Sequence, residues 1–306
     1  MQSETRTIFL TGASGLLGRS LMARWTSVGH RVRALSRRTQ PESADPNIDW
    51  ICGDLTQEGS WSSSLDGVDV VVNLAGEPIS EGRWTETRKE ELRHSRIRGT
   101  QRLVQAIGAS AKPPEVLINA SASGYYGPRF EENLVETSSA GDDFLASLAK
   151  DWEAAAGGVE VFGTRLVRLR FGTILSARGG ALLRMLPIFR TGLGGPLGPK
   201  EFFAPWIHIE DAMGFVDWGM AQTGLSGPVN AVSPEPIRMG EFAHRLGRAV
   251  HRPAFFPVPT FLLKVVLGEM GGSLFPGQRV DPQVAMDRGY PYRFPDLEGA
   301  LADLLG

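Results

Sequence analysis

A single cysteine, Cys52, stands in this chain of 306 residues, so no internal disulfide can form. No Cys/His cluster has the spacing of a metal site, and the cytoplasm is the default expectation for such a composition. Charge of one sign is lacking too: 32 Lys and Arg against 34 Asp and Glu leave a net charge of -2. No broad field therefore favours nucleic acid or an anionic membrane, and a small-molecule partner is expected. No uninterrupted apolar run approaches the roughly 18 residues a membrane helix needs. The opening MQSETRTIFL has neither the basic head nor the long apolar core and cleavage site of a signal peptide. Hydrophobic residues at 42% still suffice for a sizeable core in one large α/β unit or two modest domains.

Turning to what is present, Thr7 to Leu10 is a short apolar run followed by TGASGLLG and then by Leu17, Leu21 and Trp25 about a turn apart. This reads as strand, tight turn, helix. Further strands are expected at His30 to Leu35 and near Trp50 to Cys52, and Val68 to Leu74 suits a central parallel strand covered on both faces. A long helix is expected over Trp84 to Ile107, a buried strand from Val116, an acidic loop over Pro128 to Asp143, a helix over Phe144 to Ala156 and a strand over Arg165 to Arg170. The alternation predicts an α/β fold, a doubly wound parallel Rossmann sheet with right-handed crossovers over residues 1–172. Beyond Gly172 the chain becomes rich in Gly and Pro, which predicts a smaller C-terminal α/β substrate domain over 173–306, with segments near 206–232 free to return to the main sheet.

Gly12, Gly15 and Gly18 follow a strand and open a helix, the context a dinucleotide fingerprint requires. The first permits the tight turn, the second lets backbone amides approach a pyrophosphate, and the third lets helix and strand pack closely. Ser14, Leu16 and Leu17 belong to the same turn. The second strand ends Ser36-Arg37-Arg38, where an NAD-selective protein would place a carboxylate for the ribose 2′-hydroxyl. Two guanidiniums suit a 2′-phosphate instead, so NADP(H) is favoured over NAD(H); the alternative is a pair of solvated surface arginines.

The spacing of TGASGLLG resembles the short-chain dehydrogenase/reductase superfamily in its extended, epimerase-like branch. More specifically, NLAGEPISEGRWTETRKEELRHSRIRGT, SASGYYG, RFGTILSARGGAL, GLGGPLGPKEFFAPWIHIEDAMG and GQRVDPQVAMDRGYPYRFPDLEGAL resemble epimerase-family proteins of unknown substrate with a separate small C-terminal domain. The resemblance implies Asp54 and Leu55 at the adenine, Gly76 beneath the cofactor, and Leu74, Ala75, Glu91, Arg96 and Ile174 also near it. Glu91 would orient Arg96 towards a ribose or pyrophosphate, unless the two form a plain surface ion pair. Glu77, Arg83 and Trp84 follow the fourth strand at the edge where ligands of open sheets bind, and they are the expected substrate-pocket residues; a capped loop with a buried tryptophan is the alternative.

Enzymes of this superfamily usually move a hydride with a Tyr acid/base, a Lys four residues later and a polarising Ser. In this chain the matching positions read Leu145, Ala149 and Ala122, so the usual set is altered. Tyr125 and Ser123 are the preferred substitutes, with Ser121, Tyr126 and Lys150 nearby; aromatic packing is the alternative for both tyrosines. His208 invites a catalytic reading but suits support of a loop beside a helix capped by Asp211, and Lys200 is placed to meet an anionic substrate. Two functions follow: an NADP(H)-dependent oxidoreductase or epimerase acting on an unidentified small molecule, or a non-catalytic NADP(H)-binding sensor.

Overall fold

In the first strand, β1 (Thr7–Thr11), Ile8 and Leu10 enter one apolar layer and Phe9 another. This computed structural model describes residues 5–39, 45–256 and 277–306. Helix α1 (Leu16–Ser27), β2 (Arg31–Ser36) and β3 (Ile48–Cys52) follow, then β4 (Val70–Asn73), whose Val70 and Val72 oppose Val71. After α2 (Glu86–Arg93) and α3 (Gly99–Ala109), β5 (Val116–Ala122) repeats the split with Val116 and Ile118 against Leu117. Successive Cβ atoms leave a strand in opposite directions, so strands apolar on both sides demand a helical layer on each face.

The short strand β6 (Asn133–Leu134), α4 (Phe144–Gly157) and β7 (Arg165–Phe171) complete the first half. Next come β8 (Thr173–Ser176), α5 (Gly180–Arg190), β9 (Trp206–His208), α6 (Ile209–Ala221), β10 (Gly227–Ala231) and α7 (Met239–Ala249). β11 (Arg279–Val280), α8 (Gln283–Asp287) and α9 (Leu297–Leu305) close the chain.

Seven strands form one parallel sheet in the order β10-β7-β5-β4-β1-β2-β3. The order reverses between β1 and β4, which opens a crevice at their C-terminal ends. Leu17, Leu21 and Trp25 of α1 cover one face with Met213 and Val216 of α6, and Trp25 Nε1 donates to Asp217 at 2.7 Å. Leu103 and Ile107 of α3 cover the other face with Trp61 and Leu65. The stretch 206–232 thus supplies α6 to one face and β10 to the sheet edge, where Gly227 to Ala231 pair with Val167 to Phe171. A separate apolar cluster, including Leu182, Leu186, Phe189, Phe242, Leu246 and Leu301, ties α5, α7 and α9 together. Among the described helices, none is long and apolar enough to cross a membrane.

The long helix expected from Trp84 begins at Glu86, with Thr85 Oγ accepting from Arg88 N–H at 3.1 Å. It contains a π-turn at His94–Arg98 that resets the side-chain register before α3. At α6 the structure corrects a sequence expectation. His208 caps this helix, its Nδ1 accepting from Glu210 N–H at 3.1 Å, while the Asp211 carboxylate accepts from the backbone N–H groups of Arg293 and Phe294 at 2.8 and 2.9 Å. The helix begins before Asp211 reaches a capping position, which frees Asp211 to fasten the C-terminal segment.

Buried charge also holds β5, β7 and α4 together. Arg170 donates from Nε and Nη2 to the two oxygens of Glu153 at 2.7 and 2.9 Å, and Ser121 Oγ donates to Glu153 at 2.7 Å. The pair is 3% and 5% exposed, so removing one member strands the other away from water. Glu153→Leu is expected to cost about 3–5 kcal/mol in urea unfolding, and adding Arg170→Met to recover most of it. Equal loss in the single and double variants would show that the charge itself plays no part.

His208 makes a second prediction. Its capping bond needs an unprotonated Nδ1, its ring lies 3.9 Å from that of Phe294, and Nε2 is 3.3 Å from the Asp303 carboxylate. Burial lowers the imidazole pKa below its ordinary 6.5, outweighing the upward pull of Asp303, Asp211 and Glu210. The unfolded chain therefore binds the proton first, and stability present above the ordinary value declines as pH falls through it. Between about pH 7 and pH 5 the wild type should lose more stability than His208→Asn, which retains a capping acceptor without the titration. Parallel slopes of urea midpoint against pH would refute the assignment.

Candidate cofactor site

Gly12 has φ +70°, and a Cβ there would stand 2.7 Å from the Leu74 carbonyl carbon. The ends of β1 and β4 meet only because that atom is missing. A Cβ on Gly18 would run into the Gly12 carbonyl oxygen, which accepts from Gly15 N–H at 3.0 Å. Gly15 precedes α1 without a side-chain cap, so no capping side chain occupies the first-turn N–H groups, which could hold an anion. Ser14 is exposed and its carbonyl accepts from Arg19 Nε at 2.7 Å, Leu17 is buried, and Leu16 lies against Gly179 and Gly180. Leu16, Leu74 and Ile174 pack on the same apolar layer, which brings the start of β8 beside the glycine turn.

Buried hydrogen bonds fix the strand ends. Thr11 Oγ1 donates to Asn73 Oδ1 at 2.6 Å and accepts from Ala75 N–H at 3.2 Å, while Asn73 Nδ2 donates to Asn119 Oδ1 at 2.7 Å and Thr100 Oγ1 at 3.0 Å. At the end of β2, Ser36 Oγ donates to the Arg38 carbonyl at 2.8 Å and accepts from Arg38 N–H at 3.2 Å, and both Arg37 and Arg38 are exposed. Asp54 Oδ1 accepts from the Thr56 N–H and hydroxyl at 2.8 Å, and Leu55 is buried against Gly99.

A cavity of about 360 Å³ opens between these strand ends and α2, lined by Arg37, Asp54, Thr56, Glu77, Glu91, His94 and Ser95. It joins three expected cofactor residues, Arg37, Asp54 and Glu91, to Glu77, which the sequence reading assigns to the substrate pocket. Arg37 Nη1 donates to Glu77 Oε1 at 2.6 Å, and Arg88 Nη1 lies 3.5 Å from Oε2. Burial raises the Glu77 pKa, but Arg37 and Arg88 together outweigh it and hold the carboxyl below its ordinary range. Glu91 pairs with Arg88 at 2.8 Å rather than orienting Arg96.

Arg96 sits in the π-turn and is buried, and a Cβ on Gly76 would stand 2.8 Å from its guanidinium carbon. Nη1 reaches the Leu92 carbonyl at 3.5 Å, and the guanidinium lies 5.2 Å from the Trp152 ring centre. No carboxylate pairs with it among the described residues. Burial lowers its pKa to about 10, with Glu77 pulling upward and Arg88 pushing downward. A buried cation with no carboxylate paired to it among the described residues, under a glycine at the sheet's C-terminal edge, could hold a bound anion.

Ser123 and Tyr125 occupy a single helical turn, Ser123–Tyr126, after β5. Ser123 is buried, Tyr125 half-buried with its ring 3.5 Å from the Arg170 guanidinium carbon, and neither hydroxyl has a hydrogen-bond partner among the described residues. Tyr126 is structural: its hydroxyl donates to Asn230 Oδ1 at 2.7 Å and accepts from Arg170 at 2.9 Å, and burial pushes its pKa up to about 12. Leu145 borders this turn, its Cβ 3.6 Å from where a Gly124 Cβ would lie. Ala149 is buried and Lys150 exposed, so the lysine faces away from the turn. Trp84 is buried with Leu92 and Leu148, donates from Nε1 to the Ile79 carbonyl at 3.1 Å and meets Phe144 edge-on at 5.1 Å, whereas Arg83 and Lys200 are exposed. Sequence reasoning missed Arg88 and Ser95. Their spacing about Glu91, three before and four after, puts all three on one helix face.

The NAD dependent epimerase/dehydratase family model matches residues 8–226, and a domain of unknown function (DUF1731) matches residues 258–304. Epimerase family protein SDR39U1 homolog, chloroplastic, from Arabidopsis thaliana is 35% identical over 308 residues, covering 99% of this chain and 88% of the relative. Epimerase family protein YfhF of Bacillus subtilis is 37% identical, covering 97% of each chain. The crystal structure of human epimerase family protein SDR39U1 (isoform2) with NADPH has a TM-score of 0.87 and 34% identity, covering 98% of this chain and 99% of that one. By its glycine turn, its strand order and a family match over most of its length, this chain belongs to the NAD dependent epimerase/dehydratase family.

Proposed function

We propose that the chain binds NADP(H) across the C-terminal edge of its sheet and acts as an epimerase-family oxidoreductase on a small molecule. The observation that carries this reading is a cradle only glycine can form, Gly12 against Leu74, next to a strand end bearing Arg37 and Arg38 in place of a carboxylate. The human relative's crystal structure with NADPH supports the choice of cofactor. A nicotinamide cofactor supplies hydride transfer when bound. The first-turn N–H groups of α1 serve its pyrophosphate, Arg37 and Arg38 its 2′-phosphate, and Asp54 and Leu55 its adenine. Leu74, Ala75, Gly76 and Ile174 line its path, and Arg96 adds buried positive charge from below. Ser123 and Tyr125 are the hydroxyls we propose to move a proton. The unit built on α5, α7 and α9 is proposed as the substrate domain, with the main sheet as the cofactor domain.

A non-catalytic NADP(H) sensor is the second reading, favoured by Leu145 and Ala149 at the positions where relatives usually carry the acid/base Tyr and its Lys. The cytoplasm remains the proposed compartment, although the Arabidopsis relative is chloroplastic.

Titration with NADPH and NADH, followed by nicotinamide fluorescence, tests the assignment. Replacing Arg37 and Arg38 by alanine should weaken NADPH binding roughly 10- to 100-fold, the worth of charge-assisted hydrogen bonds, and NADH binding by less than about threefold. Equal loss for both nucleotides would remove the 2′-phosphate role. Turnover of any member of a carbonyl panel, reduced in Tyr125→Phe, would favour the enzyme over the sensor.

A further inference from the structure

Glu77 places a carboxylate where a phosphate-binding arginine would be better left open. It follows β4 closely and stands in the same cavity as Arg37 and Asp54, with Oε1 at 2.6 Å from Arg37 Nη1. The two partners are held very differently. Glu77 is tied through its backbone N–H to Ser95 Oγ at 3.1 Å, and its side chain is 22% exposed. Arg88, beside Oε2, is itself fixed by the Pro78 carbonyl and Glu91, each at 2.8 Å. Arg37 is 68% exposed and contacts Glu77 from the open side. The carboxylate is the more enclosed member of the pair and the arginine the more exposed one.

Building on the NADP(H) reading, we infer that Glu77 is a specificity-determining residue, an internal anion that occupies Arg37 until a 2′-phosphate takes it over. A phosphate dianion carries more charge than a carboxylate and offers three acceptor oxygens, so it wins the guanidinium. It does so against two costs, the broken Arg37–Glu77 pair and the approach of one anion to another. A 2′-hydroxyl incurs neither, because it brings no charge and leaves the pair intact. Glu77 therefore narrows the gap between phosphorylated and unphosphorylated nucleotides. Arg88 makes the exchange feasible: its Nη1 lies 3.5 Å from Oε2, so Glu77 keeps a cation beside it once Arg37 moves away.

Calorimetric titration of the full chain with adenosine 2′,5′-bisphosphate and with 5′-AMP isolates the 2′-phosphate from the rest of the cofactor. Glu77→Gln should tighten bisphosphate binding about two- to fivefold, the range of a largely exposed ion pair, and change 5′-AMP binding less than about 1.5-fold. Glu77→Ala should do the same, which assigns the effect to charge rather than shape, and thermal midpoints should stay at the wild-type value. Unchanged or weaker bisphosphate binding in both variants overturns the inference while the NADP(H) reading stands, provided the wild type still prefers the bisphosphate. A wild type that does not discriminate between the two nucleotides overturns both.

Discussion

The approach of Gly12 to the Leu74 backbone is the constraint on which the site depends. Any Cβ at position 12 would force the ends of β1 and β4 apart, since its nearest neighbours are backbone atoms that cannot rotate away. Thr11 and Asn73 would then lose register, and with them the hydrogen bonds to Ala75, Asn119 and Thr100 that stitch three strand ends to α3. Those bonds place Ala75 and Gly76, and Gly76 leaves the space that the Arg96 guanidinium fills. A turn that looks like a local loop motif thus bears on the position of a charge some eighty residues further along the chain.

Three arginines at this edge of the sheet show how burial and pairing divide labour. Arg170 is buried and neutralised by both oxygens of Glu153, so its charge is committed to the fold, and the partners raise its pKa well above the ordinary value in spite of burial. Arg96 is equally dry but has no paired carboxylate among the described residues, and its pKa is lowered. Arg37 is paired but largely exposed, where an ion pair contributes about 0–1 kcal/mol and exchanges readily. A charge committed to the fold, a buried charge with no paired carboxylate among the described residues and a solvent-facing ion pair are therefore set by surroundings, with the same side chain in each case.

The sheet was legible in the sequence because its signal is local. Ile8 to Leu10, Val70 to Val72 and Val116 to Ile118 are apolar at consecutive positions, as both faces require, and the glycines sit where a strand hands over to a helix. Residues at strand ends were legible for the same reason: Arg37 and Asp54 project into one cavity because β2 and β3 stop side by side. The rest depends on how distant segments meet. Trp84 looks like a pocket residue by its place after β4, yet the chain before α2 folds back and buries it against Leu92 and Leu148. Glu77 turns towards Arg37 because Ser95 and Arg88 approach from the helix, an encounter that no spacing rule predicts. The return of β10 to pair with β7 is likewise a long-range event, and periodicity allows it without requiring it.

The surroundings of Ser123 and Tyr125 bear on the catalytic role proposed for them. A phenol can serve as a general base near neutral pH when a cation beside it stabilises the phenoxide and lowers its pKa, the service a lysine usually performs in this superfamily. Here Lys150 faces solvent, Ala149 fills the interior position, and Leu145 lines the turn with hydrocarbon. Arg170 does lie against the Tyr125 ring, but its Nε and Nη2 bind Glu153, and Nη1 reaches the Tyr126 hydroxyl and the Glu136 carbonyl. It therefore anchors the ring by stacking while its N–H groups are committed to Glu153, Tyr126 and Glu136. Under the catalytic role proposed for Tyr125, a suitable substrate would be one whose reaction asks only weak acid or base assistance, or which carries its own proton donor.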